Sequence, residues 1–203
     1  MPNLREKQMQ RRKLDILRAG RELFANKGYQ ETSMEEIAEL AEVSLGTIYN
    51  YYKSKADLLF SILNHKQGEV LEKGVEFLNA PPSDPVEAVS GLLNVYFEEL
   101  IYQHDYKGLL KDIIALLSEQ PVYTEEMVKL DYNILNQLIG LVEQLQQRNL
   151  ITQEVKPEEA ANLIYPTAFF AFQLYIFDVE TNLETMKNLV RRYVQIIFRG
   201  LEP

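Results

Sequence analysis

The stretch Thr32–Leu59, TSMEEIAELAEVSLGTIYNYYKSKADLL, leaves the chain little choice of local structure. Thr32-x-x-Glu35 and Ser33-x-x-Glu36 each set a hydroxyl three residues before a carboxylate, the pattern that caps a helix N-terminus. Ile37, Ala38 and Ala41 follow at helical spacing and make a short buried face that ends near Glu42 and Val43. Ser44 caps a second short helix, Leu45 to Tyr51, with Ile48 and Tyr52 turned inward four residues apart. Two helices of about two turns each, joined by about three residues, predict a helix-turn-helix, whose second helix characteristically enters a DNA groove.

The core does not need Leu45, Gly46, Thr47, Tyr49, Asn50 or Tyr51. A glycine near a helix start costs about 1 kcal/mol against alanine, and close approach of another molecule is one reason to keep it. Thr47, Tyr49 and Tyr51 carry hydroxyls suited to phosphate oxygens, Asn50 can pair with an adenine edge, and Leu45 can meet a thymine methyl. Lys53 and Lys55 follow where a cation would meet the duplex backbone. The bland alternative is a polar helical hairpin whose tyrosines pack on a neighbour.

Around this pair the periodicity predicts only helices. Helix 1 spans about Gln10 to Lys27, with Ile16, Ala19, Gly20, Leu23 and Phe24 on one face and Gly28 ending it. Met1–Lys13 before it is basic (Arg5, Lys7, Arg11, Arg12, Lys13) and is either a frayed terminus or an arm that touches phosphates. Helix 4, about 54–78, is long enough to link two regions, and Pro81-Pro82-Ser83-Asp84-Pro85 breaks the chain after it. Further helices are expected near 85–103, 105–118, 124–148, 157–178 and 181–200, with start signals at Asp84, Thr124, Pro157 and Thr181. The predicted fold is all-α, with about nine helices. Residues 1–55 form a three-helix helix-turn-helix domain, and 56–203 form a helical ligand-binding and dimerisation domain.

Net charge is −9, which by itself argues against a nucleic-acid binder. The distribution does not: residues 1–55 carry ten Lys/Arg against eight Asp/Glu, and the rest carries eleven against twenty-two. The absence of cysteine removes disulfide and thiolate chemistry and fits a reducing cytoplasm. The most apolar run, Leu163–Phe177, is shorter than the roughly 20 residues of a membrane span and contains Pro166 and Gln173, so no membrane is expected. His65 and His104 are the only histidines, and there is neither a nucleophilic triad nor a Gly-rich phosphate loop. His104-Asp105 with Asp112 lacks the spacing of a helical metal site. No enzyme, metal or cofactor is expected.

Ile16-Leu17-x-Ala19, Leu23-Phe24, Gly28-Tyr29, Thr32-Ser33, Ile37-Ala38, Ala41-x-Val43-Ser44, Gly46-Thr47-x-Tyr49 and Tyr51-Tyr52-x-x-Lys55 together resemble the N-terminal domain of TetR-type (TetR/AcrR) bacterial transcriptional regulators. The resemblance covers about a fifth of the chain. It implies that Ser33 and Thr47 hold phosphates, that Leu45, Gly46, Tyr49 and Asn50 meet base edges, and that Tyr51 and Lys55 clamp the backbone. Ser44, the cap of the reading helix, belongs to the same surface. Three residues depart from the pattern: Glu42 where glycine is common, Gly20 where alanine is common, and Glu35 where a DNA contact is common.

The run Leu163–Phe177 is apolar nearly all round, so it must be buried on more than one side, by its own chain or by a partner subunit. TetR-type proteins similarly dimerise through their last two helices, which implies a homodimer interface at Phe170, Phe177, Val190, Tyr193, Val194 and Ile197. Tyr96, Tyr102, Tyr132, Phe169, Phe172 and Tyr175 are candidates to line an effector pocket, although an aromatic at helical spacing serves a core equally well. The expected function is that of a dimeric regulator of transcription. The resemblance makes it a repressor, released from a pseudo-palindromic double-stranded DNA operator by a small apolar or aromatic-compatible effector. The alternative is a helical ligand- or partner-binding protein with a vestigial helix-turn-helix.

Overall fold

A computed structural model describes residues 3–101, 106–119, 121–178 and 180–199. Among them all regular structure is helical: α1 Leu4–Lys27, α2 Met34–Leu40, α3 Leu45–Tyr51, α4 Lys55–Leu78, α5 Pro85–Ile101, α6 Tyr106–Glu119, α7 Pro121–Gln147, α8 Pro157–Phe177 and α9 Leu183–Arg199. The chain forms two compact units, Met1–Lys66 with Gln103–Thr124 and Gln67–Tyr102 with Glu125–Pro203. The first therefore extends beyond the 1–55 expected for the helix-turn-helix region, taking in the first half of α4 and all of α6.

In the first unit α1 starts earlier than predicted. Asn3 caps it by accepting from Glu6 N at 2.9 Å while Glu6 Oε2 accepts from Asn3 N at 2.9 Å. Residues 4–13 are thus helical, not frayed. Ile16, Leu17, Ala19, Gly20 and Phe24 are its buried face. Gly20 has a steric reason: a Cβ there would lie 3.1 Å from both Ile62 Cδ1 and Leu58 Cδ2 of α4. Only one of the two capping boxes before α2 forms. Ser33 and Glu36 make it, whereas Thr32 is buried and donates to Gly28 O at 2.7 Å and Leu23 O at 3.3 Å.

In the second unit Asp84 caps α5, accepting from Glu87 N at 2.9 Å. α7 begins at Pro121, ahead of the expected start at Thr124, and the cap of α9 is Asn182 in place of Thr181, accepting from Thr185 N at 2.8 Å. α9 packs on both α5 and α8. Met186, Val190 and Val194 lie buried at four-residue spacing, flanked by Lys187–Glu98 and Arg191–Glu87 ion pairs to α5. The placement of Val190 and Val194 at a subunit interface is therefore corrected: α5 and α8 of the same chain enclose them.

At 21 residues α8 is long and apolar enough to cross a membrane, longer than its apolar run alone suggests. Its buried side, Ala161, Ile164, Ala168, Ala171, Phe172, Tyr175 and Ile176, gives a different reason for that composition. The other side leaves Leu163, Phe169, Phe170 and Phe177 exposed. With Pro166 and Gln173, three of these form a line at positions 163, 166, 170, 173 and 177, roughly 21 Å long at about 1.5 Å per residue.

Candidate nucleic-acid interface

α2 ends in a tight reversal. Glu42 N donates to Glu39 O at 3.1 Å and Val43 N to Ala38 O at 3.0 Å, with Glu42 at φ 55°. This pair of bonds closes a helix through one left-handed residue, a place where glycine is usual. Asn149 does the same after α7, also at φ 55°. The reversal turns the chain directly into Ser44, whose Oγ accepts from Thr47 N at 3.2 Å and lies 2.8 Å from Thr47 Oγ1. α3 is anchored by Ile48, fully buried, and by Tyr52 just beyond it.

Every other part of α3 is at least partly open. Gly46, Tyr49 and Asn50 are exposed; Leu45, Thr47 and Tyr51 are half-buried. Around Gly46 a Cβ would find nothing nearer than Ser44 Oγ at 4.0 Å, so no neighbour within the chain requires glycine there. The six α3 residues expected to face DNA thus share one short helix with one buried anchor. Ser33 stands apart at the start of α2, half-buried, its Oγ accepting from Glu36 N at 3.2 Å. Lys27 pairs with Glu36, and that bond, more than the one from Ser33, holds the Glu36 carboxyl below its ordinary value. Glu35 and Glu42 are exposed.

Two expected phosphate contacts are turned toward the chain itself. Lys55 Nζ donates to Tyr29 O at 2.6 Å, Thr32 O at 2.8 Å and Gln30 O at 3.1 Å, and sits 4.5 Å from the Tyr29 ring centroid. All three of its protons are used on the α1–α2 turn. From the other side of that turn, Tyr29 N donates to Asp112 Oδ2 of α6 at 3.3 Å. Tyr51 OH donates to Met9 O of α1 at 3.4 Å. Lys53 is exposed and keeps its ammonium free of any such bond among the described residues. The sequence offers two lysines at this corner and gives no sign of which one turns inward.

In the second unit two of the pocket candidates, Phe172 and Tyr175, lie side by side. Tyr102 lies outside the described residues, as do His104 and Asp105, and Tyr132 is 62% exposed. Phe172 is buried between Phe97, stacked at 5.3 Å, and Tyr175 at 6.4 Å; Phe169 is exposed and stacks on Tyr165 at 6.2 Å. Tyr96 is buried where its OH donates to Gln137 Oε1 at 2.6 Å, while Gln137 Nε2 donates to Leu71 O at 3.1 Å. Gly74 makes room: a Cβ there would fall 2.0 Å from Gln137 Oε1. A cavity of about 600 Å³ does exist in this unit, walled by Val86, Val142, Leu150, Val155, Leu163 and Ile197. None of the six aromatics lines it. Among the described residues no group of His, Asp or Glu could hold a metal ion.

Two short helices, a four-residue reversal and an open second helix define a helix-turn-helix. Residues 16–62 match the family model of bacterial regulatory proteins of the tetR family. That match is confined to the N-terminal segment, while the all-α fold is shared along nearly the whole chain by solved structures of TetR-family regulators. It is 31% identical over 112 residues to the HTH-type transcriptional regulator YuxN of Bacillus subtilis, covering 55% of this chain and 36% of that one. A TetR-family regulator structure from Mesorhizobium loti superposes with a TM-score of 0.74 at 18% identity, covering 94% of this chain and 96% of the other. The FadR structure from Bacillus subtilis in complex with stearoyl-CoA gives 0.69 at 20%, covering 93% and 99%. The two structural likenesses carry the fold alone. The chain spans about a third of the length of the first curated relatives it matches.

Proposed function

We propose that this chain is a cytoplasmic, dimeric, DNA-binding regulator of transcription, a repressor that leaves its operator when a small effector binds the second unit. The observation that carries the reading is α3: one buried anchor, Ile48, and an open face holding Gly46, Thr47, Tyr49 and Asn50. Thr47 and Ser44 offer hydroxyls to phosphate, while Tyr49 and Asn50 address base edges. Lys53 supplies the backbone cation that Lys55 does not.

The exposed line on α8 supports a homodimer, with Phe170 and Phe177 covered by a second copy and Tyr193 and Ile197 of α9, half-buried in one chain, beside them. A two-fold pair of readers addresses a palindromic site with half-sites about one helical turn, roughly 34–36 Å, apart. The effector is of small apolar or aromatic-compatible chemistry. It acts by binding the two states of the protein with different affinity, since only that difference moves the equilibrium.

Fluorescence anisotropy against duplexes from the region upstream of the chain's own gene tests this. Tight binding that weakens steeply with salt is expected, and Tyr49→Ala relaxes discrimination among duplexes. Failure to bind any duplex at low salt would overturn it. A second reading, a helical ligand-binding protein whose helix-turn-helix no longer reads DNA, draws on exposed Glu35 and Glu42 and on the inward Lys55. That same negative result would favour it.

A further inference from the structure

Every residue from Asn3 to Leu14 is exposed, about three turns of α1 before its buried face begins at Ile16. A helix this short is marginal in water on its own. Here it continues a packed helix and is closed by the Asn3–Glu6 capping box. The segment carries Arg5, Lys7, Arg11, Arg12 and Lys13 against one carboxylate, Glu6, which the cap occupies. All five cations are exposed, and Arg11 lines a surface cleft with Asp15, Arg18, Leu40, Ala41 and Glu42.

The faces of this overhang differ. At helical spacing Arg5, Met9, Arg12 and Lys13 continue the line that Ile16, Gly20 and Leu23 carry into the core, while Lys7 and Arg11 run with exposed Arg18 on the opposite side. The first line meets α3 directly: Tyr51 OH donates to Met9 O at 3.4 Å. The cations Arg5, Arg12 and Lys13 are therefore held in register with the reading helix by a rigid element. Its exposed apolar residues, Leu4, Met9 and Leu14, do not share a face, which distinguishes it from a helix that lies on a membrane.

We propose that the overhang of α1 is a preformed rail for DNA phosphates flanking the bases read by α3, with Arg5, Arg12 and Lys13 as its contacts. This rests on the DNA-binding reading above. It adds a second, sequence-independent surface on each protomer, which lengthens the footprint and leaves base discrimination to α3.

The test uses the full-length protein and a duplex recovered by selection from a randomised pool, presented with long flanks or trimmed to the selected core. For wild type, trimming weakens binding. For Arg5→Gln/Arg12→Gln/Lys13→Gln, binding to the long duplex falls at least tenfold, and trimming costs nothing further. The slope of log K against log salt becomes shallower by roughly 0.9 for each phosphate no longer neutralised. The variant's preference for the selected core over a scrambled one is unchanged. Lys7→Gln/Arg11→Gln, on the other face, has less than a third of the effect.

Equal weakening by both variants on every duplex would reduce the effect to overall charge and overturn the rail. An unchanged slope in the triple variant would overturn it while leaving the regulator reading intact. So would loss of binding to anionic phosphatidylglycerol vesicles with DNA binding unchanged, which would make the overhang a lipid contact. If wild type binds no duplex, the regulator reading fails first and the rail fails with it.

Discussion

Lys55 shows how much a single side chain's direction matters. Its position suggests a phosphate clamp, but its ammonium is spent on the carbonyls of Tyr29, Gln30 and Thr32. Lys55→Met keeps the apolar stem and removes those bonds, at a cost of about 1–2 kcal/mol. Operator affinity should drop as the turn before Ser33 loosens, yet the salt slope should stay as in wild type; removing a phosphate-bound cation would lower the slope by about 0.9, and anisotropy titrations at several salt concentrations separate the two. Tyr52 presents the opposite case. Its hydroxyl is buried with no hydrogen-bond partner among the described residues, and burial, more than the nearby Asp57, pushes it up to about 12. Tyr52→Phe removes that polar atom and keeps the ring, so the variant should be more stable by about 1 kcal/mol in urea titration, with operator affinity retained. Neither behaviour is legible in the sequence, which names a cation or a phenol but not what lies opposite it. Glu42 is legible, because a reversal after Ala41 needs a left-handed residue whatever its side chain.

Among the elements, those with a capping residue and a buried face can be placed from sequence nearly to the residue: α3 at Leu45–Tyr51 after Ser44, and α5 after Asp84. The start of α1 escapes periodicity, which registers a helix only where it packs, and residues 4–14 are exposed throughout. The signal that remains is Asn3-x-x-Glu6. α9 shows a second limit. Its stripe announces burial correctly, but a stripe does not say whether its own chain or a partner covers it, and here α5 and α8 enclose Val190 and Val194. The α7–α8 contact carries a pH prediction. Tyr165 OH donates to Asp131 Oδ1 at 2.5 Å, and burial raises the Asp131 carboxyl above its ordinary value although the tyrosine bond pulls it back in part. The folded state therefore holds this proton more tightly than the unfolded chain. The resulting stability is complete below the unfolded value near 3.8 and is lost as pH rises through the higher folded value. Asp131→Asn should melt above wild type at pH 7, with the gap closing toward about pH 3.5, as thermal scans across that range would record.

At the scale of the whole molecule, the exposed line on α8 and the acidic second region set the terms of assembly. Phe170 and Phe177 expose about half their surface, and a partner covering them gains on the order of 1 kcal/mol each. Phe170→Glu/Phe177→Glu should sediment as a monomer at micromolar concentration and bind an operator at least a hundredfold more weakly, because two linked readers exceed one by that order. A folded variant that remains dimeric would place the interface elsewhere. The layout of the two units also governs how such a protein can be taken apart. The chain passes from one compact unit to the other within α4, with no loop at the crossing, and returns through residues 103–124 to complete the first unit. A cut after Lys66 would strip Asp112 from the Tyr29 turn and leave α1 without α6. The reader is thus not a detachable cassette: a chimaera that grafts it onto another body must splice at three crossings in the chain.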